Sequence, residues 1–65
     1  MAKAITLEEA AEGIGRQVIY RGGGALEEGV IAHVTHRYVF VRYGDDVHSK
    51  ATEARDLEWS HHAAR

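Results

Sequence analysis

Branched and aromatic side chains gather in short runs punctuated by glycine and acidic residues, and one amphipathic segment precedes them all. That segment opens with Thr6-Leu7-Glu8-Glu9, the Thr-x-x-Glu form of a capping box, so a helix is predicted over residues 6–13. Leu7, Ala10, Ala11 and Ile14 fall on one helical face, and Glu8, Glu9 and Glu12 fall on the other. Gly13 and Gly15 supply the stop. A helix of about two turns does not persist alone in water, so the Leu7/Ile14 stripe is expected to dock on a neighbouring element.

Everything after the helix reads as strand and turn. Residues 16–21, centred on Val18, Ile19 and Tyr20, form the first predicted strand, and Gly22-Gly23-Gly24 ends it in a flexible loop. Residues 29–35 and 38–43 are the strongest strand signals, close enough for a hairpin around His36 and Arg37. Those two residues lack the glycine chemistry of a two-residue turn, so a longer connection that borrows Thr35 or Tyr38, or a bulge, is the alternative. Gly44-Asp45-Asp46 is a turn, residues 47–51 a short fourth strand, residues 52–55 a single helical turn, and residues 56–59 a last strand. The tail, residues 60–65, has no apolar anchor and is expected to fray.

Alternation with period two places Val30, Ala32 and Val34 together, with Ile31 and His33 opposite. Along the next strand it sets Val39, Val41 and Tyr43 against Tyr38, Phe40 and Arg42. The aliphatic faces are expected to line the core, with Leu57 or Trp59 reaching it from the last strand. A sheet this small hides an apolar face by curling on itself. The pattern therefore predicts a single domain over residues 1–65, mainly β, with an antiparallel barrel of about five strands over residues 15–59.

Gly15-Arg16-Gln17-Val18, Gly29-Val30-Ile31, Val39-Phe40-Val41-Arg42-Tyr43 and Asp56-Leu57 carry a resemblance to the SH3-like barrels, including Tudor-like and KOW-like modules. The chain also resembles short barrels encoded by bacteriophage and prophage genomes, which implies an adaptor or assembly role. It departs from peptide-binding SH3 domains in lacking an acidic loop with paired tyrosines and a tandem tryptophan, and no compact aromatic cage for a methylated lysine or arginine is assignable.

Composition narrows the function. A chain of 65 residues buries only about 60% of its unfolded surface, and without cysteine it has no disulfide to compensate, so self-association is a natural source of stability. The lack of cysteine is compatible with a reducing cytoplasm, and no apolar run has the length of a signal peptide or a membrane span, so the chain is read as unprocessed, soluble and cytoplasmic. Eight basic and ten acidic residues give a net charge of −2, against the strong positive excess of non-specific nucleic-acid coating.

Candidate chemistry is sparse. His33, His36, His48, His61 and His62 do not fall at the spacing of a zinc site, and no metal or cofactor is expected. Gly22-Gly23-Gly24 lacks the Lys and Ser/Thr of a phosphate loop, and neither Ser49 nor Ser60 sits on a nucleophile elbow, so no catalytic residue is assigned. The surface that stands out is the row Tyr38, Phe40 and Arg42, with Arg37 and Trp59 counted beside it. Aromatic rings next to guanidinium groups anchor protein partners or stack on bases. In a second arrangement the helix or Trp59 covers Phe40 and turns the row into a mini-core. The leading function is a non-enzymatic binding or assembly module acting through protein–protein contacts, self-association included. The alternative is nucleic-acid binding by Tyr38, Phe40, Arg42 and neighbouring arginines.

Overall fold

The computed structural model describes residues 3–60; five of the six predicted tail positions, His61 and His62 among them, lie outside that span. A short helix α1 (Leu7–Glu12) precedes five strands, β1 (Gln17–Tyr20), β2 (Glu27–Val34), β3 (Val39–Tyr43), β4 (Lys50–Thr52) and β5 (Leu57–Trp59). All five belong to one antiparallel sheet in the order β4-β3-β2-β1-β5. A 3-10 turn, Ala54–Asp56, joins the two edge strands.

That connection determines the shape of the sheet. Flat, the two edge strands would stand about 19 Å apart, four strand spacings of about 4.8 Å. Glu53 and one 3-10 turn, rising about 2 Å per residue, are too short for that span. The sheet therefore curls and brings β4 toward β5. No ladder joins these two strands among the described residues, so the expected barrel is not closed by hydrogen bonds.

The inner face of the curl holds Val18, Ile31, Val39, Val41 and Leu57, all fully buried, together with Ile5 and Ala10 from the helical end. Thr6 caps α1: its hydroxyl accepts from the Glu9 amide while the Glu9 carboxylate accepts from the Thr6 amide, each at 3.0 Å. Ile5 and Ala10 flank this box as a hydrophobic staple, and both enter the core. The Ile5 amide also donates to the Leu57 carbonyl at 3.0 Å, which covers part of the otherwise free edge of β5.

Two packing expectations are corrected. Ile14 is 55% exposed, because the helix stops at Glu12 and the chain turns through Gly15 at φ 93° before the stripe comes round again. On β2 the buried residues are Gly29 and Ile31, whereas Val30 and Ala32 are only half-buried. The ladder with β3 slips between Ile31 and His33, and this bulge reverses the alternation, so that Ile31 before it and Val34 after it both face the core. β2 also begins two residues earlier than the expected 29–35, since Glu27 and Glu28 pair with Tyr20 and Ile19.

The hairpin connection is of the longer kind. Thr35 Oγ1 accepts from the amides of Arg37 at 3.2 Å and Tyr38 at 3.0 Å, and the Thr35 amide donates to the Tyr38 carbonyl at 2.9 Å. The threonine hydroxyl supplies what a glycine turn would otherwise provide. At the far end Ser60, counted with the tail, is buried, and its amide donates to the Gln17 carbonyl at 3.0 Å. No helix of the described residues is long and apolar enough to cross a membrane.

Candidate protein-binding groove

The residues singled out from sequence do not form one surface. Phe40 faces outward, half-buried and stacked on His33 with ring centroids 4.4 Å apart at 11°. Neither the helix nor Trp59 is its stacking partner. Arg42 is exposed on the same outer face, opposite Val30. Trp59 pairs with Val18 and so belongs to the inner side of the sheet, at the end next to α1. There the Arg16 guanidinium lies 3.9 Å over its ring, and a Cβ on Gly13 would come within 2.5 Å of it.

Tyr38 leaves the row for a different reason. It stands just before β3, half-buried, where it borders a shallow pocket with Leu7, Glu53 and Ala54 and also a wider groove. The Arg37 guanidinium lies 5.4 Å from the centre of its ring.

That groove encloses about 660 Å³. Its walls are the end of β1, the start of β2, the β3–β4 turn, β4 and the 3-10 turn. All three tyrosines of the chain line it. Tyr20 and Tyr43 meet edge to face, centroids 6.0 Å apart at 67°. The glycine loop makes room for the Tyr20 ring: a Cβ on Gly22 would fall 2.7 Å from the Tyr20 hydroxyl. Tyr43 is held from the other side by its hydroxyl, 2.9 Å from Thr52 Oγ1, which in turn donates to the Lys50 carbonyl at 3.2 Å.

The lining is also acidic, with Glu27, Asp45, Asp46, Glu53 and Asp56 against Lys50 and Arg55. Glu53 is bonded to Arg55 at 2.7 Å, which leaves Glu27, Asp45, Asp46 and Asp56 facing Lys50 alone. No three described His, Asp or Glu side chains converge closely enough to hold a metal ion, so these carboxylates are spread along the wall.

Tyr43 senses this setting. Burial lifts its pKa above the ordinary 10.0; the Thr52 hydrogen bond opposes the rise, and Tyr20, Glu27 and Asp56 add to it. Because the folded value lies above the unfolded one, the associated stability is whole below pH 10 and declines as pH climbs past it. Urea melts at about pH 8 and about pH 11 should show the unfolding free energy falling with pH, and Tyr43→Phe should lessen that fall. An equal fall in the variant would mean that Tyr43 is not the group responsible.

Compared with known protein families, curated proteins and solved structures, the chain matches none. Function is therefore read from the groove and its rim.

Proposed function

We propose that the protein is a non-enzymatic binding module that acts through protein–protein contacts, either with a partner protein or with a second copy of itself. The observation that carries this reading is the composition of the groove end. Three tyrosines line the cleft, and two of the three large aliphatic side chains exposed among the described residues flank it in sequence: Leu26, 63% exposed, precedes Glu27, and Val47, 82% exposed, follows Asp46. Tyrosine-lined pockets are where binding energy concentrates in protein interfaces, and exposed leucine and valine side chains gain from being covered.

Nucleic-acid binding has weaker support. Arg21 is committed to Glu58 at 2.6 Å and Arg55 to Glu53, Arg16 lies on Trp59, and the principal cleft is acidic. A phosphate backbone favours a continuous basic track.

A photoreactive phenylalanine derivative placed at position 26, and separately at position 47, should crosslink to protein in cells that make the chain. The same group at position 12, beyond the other end of β1, should not. Sedimentation over a concentration series then separates self-association from a heterologous partner. Equal crosslinking at all three positions, or none at 26 and 47, would remove the reading.

A further inference from the structure

The lining of the groove constrains the chemistry of its occupant. We infer that the groove receives a lysine- or arginine-bearing segment of a partner protein, its cationic side chains set against the tyrosine rings with Glu27, Asp45, Asp46 and Asp56 as countercharge. This assignment rests on the protein-binding role proposed for the same groove.

Three observations select this occupant. First, the lining pairs aromatic rings with an excess of carboxylates: Tyr20 and Tyr43 line it, Tyr38 already holds the Arg37 guanidinium 5.4 Å from its ring as a cation would sit, and among the described residues none of those four acids is in an ion pair. An acidic or phosphorylated ligand would meet repulsion from the same wall. Second, the carboxylates are distributed from the start of β2 through the β3–β4 turn to the 3-10 turn, without converging on a point. A bound metal ion needs convergence; a chain with several positive side chains matches a distributed wall. Third, Leu26 and Val47, exposed and next to Glu27 and Asp46 in sequence, lie on the two loops that contribute those acids, so a ligand longer than the groove has apolar surface on the same loops to cover. This favours a polypeptide over a small polyamine.

A second copy of the chain is a poor fit through its helix. Glu8, Glu9 and Glu12 make the exposed side of α1 negative, as the groove is. Lys50 and Arg55 at the groove margin then have a role in selectivity, since they oppose the over-accumulation of positive charge and favour alternating cationic and neutral residues.

The experiment is a titration of the isotope-labelled full chain with a peptide of alternating glycine and arginine, alongside peptides in which glutamine or glutamate replaces the arginine. The arginine peptide should move the resonances of Tyr20, Tyr43 and Asp56, bind at least about tenfold more tightly than the glutamine peptide, and weaken as salt rises from about 50 mM to about 500 mM. The double variant Glu27→Gln/Asp56→Asn should lose about tenfold in affinity, while Glu8→Gln/Glu9→Gln stays within about twofold. Equal binding of the glutamine peptide, shifts centred on Glu8, Glu9 and Glu12, or no shift at millimolar peptide would overturn the inference. The shift map on the unaltered chain decides this even if the double variant fails to fold. Should the peptide fail while crosslinking at positions 26 and 47 persists, the cationic occupant is wrong and the protein-binding role stands; loss of both removes both.

Discussion

Replacing Gly29 with alanine is expected to destabilise the domain by about 2–3 kcal/mol or more, a large fraction of what holds a domain of this size folded. Gly29 is buried on the inner face of β2, between Val18 on one side and Tyr43 on the other. An added Cβ would stand 2.5 Å from Val41 Cγ1 and 2.9 Å from both the Arg42 carbonyl oxygen and Tyr43 Cδ1. A valine methyl can rotate away. The carbonyl oxygen belongs to the β2–β3 ladder and moves only if the sheet opens. In an unstrained strand the alanine would gain about 0.5–1 kcal/mol from lower chain entropy, and the clash outweighs that gain. Gly15→Ala is the useful comparison: its Cβ meets nothing within 4 Å, but φ is 93°, so it reads backbone strain alone, about 1–2 kcal/mol. Urea melts of both variants decide the matter. A Gly29→Ala chain as stable as Gly15→Ala would mean that the strands do not approach as closely as described.

The same contact links stability to the groove. Tyr43 Cδ1 is one of the three atoms an alanine at position 29 would displace, and the Tyr43 ring forms the back of the aromatic pair. A small side chain on β2 is thus a condition for the groove as well as for the core. This dependence is typical of a domain in which a single layer of side chains serves both purposes, since 65 residues leave few to spare.

How far the sequence discloses this arrangement depends on the range of the interaction. Local chemistry is legible: the capping box at Thr6, the β-branched runs of β1 to β3 and the turn borrowing Thr35 all follow from neighbours within a few positions. The alternation on β2 misleads because a bulge costs one residue of register and leaves no mark in composition; Val30, Ala32 and Val34 look as good a core face as Ile31 does. Ile14 misleads in the opposite way, as a continuation of the helical stripe beyond the glycine that ends the helix. The groove is invisible for a third reason. Tyr20 and Tyr43 meet only because β1 and β3 flank β2 and both end at the same side of the sheet, a juxtaposition set by strand order. One clue is present: each tyrosine closes its strand within two residues of a turn glycine, the place where a side chain can lean over an open end.

Leu57→Ala is the substitution expected to cost the most, about 2–5 kcal/mol, against a total of roughly 3–10 kcal/mol for a domain of this length. Leu57 is among the largest fully buried side chains, and it sits where the fold has least redundancy. β5 has three residues; its ladder to β1 covers Tyr20, Ile19 and Val18, and its outer edge receives the Ile5 amide through the Leu57 carbonyl. The leucine side chain therefore fastens together the N-terminal segment, the first strand and the 3-10 turn that forms one wall of the groove. Removing its terminal methyls opens a cavity that the short strand can close only by giving up those pairings. The expected readout is a urea midpoint lowered by roughly half for Leu57→Ala, a modest loss below about 1.5 kcal/mol for the volume-conserving Leu57→Met, and a change within about 0.5 kcal/mol for Val47→Ala at an exposed position. Because Asp56 precedes Leu57, the alanine variant should also lose affinity for any ligand of the groove, and it should recover that affinity in a stabilising co-solvent that restores the fold. A Leu57→Ala protein that melts like the parent would show that β5 is not anchored through this side chain, and the wall of the groove would then need another support.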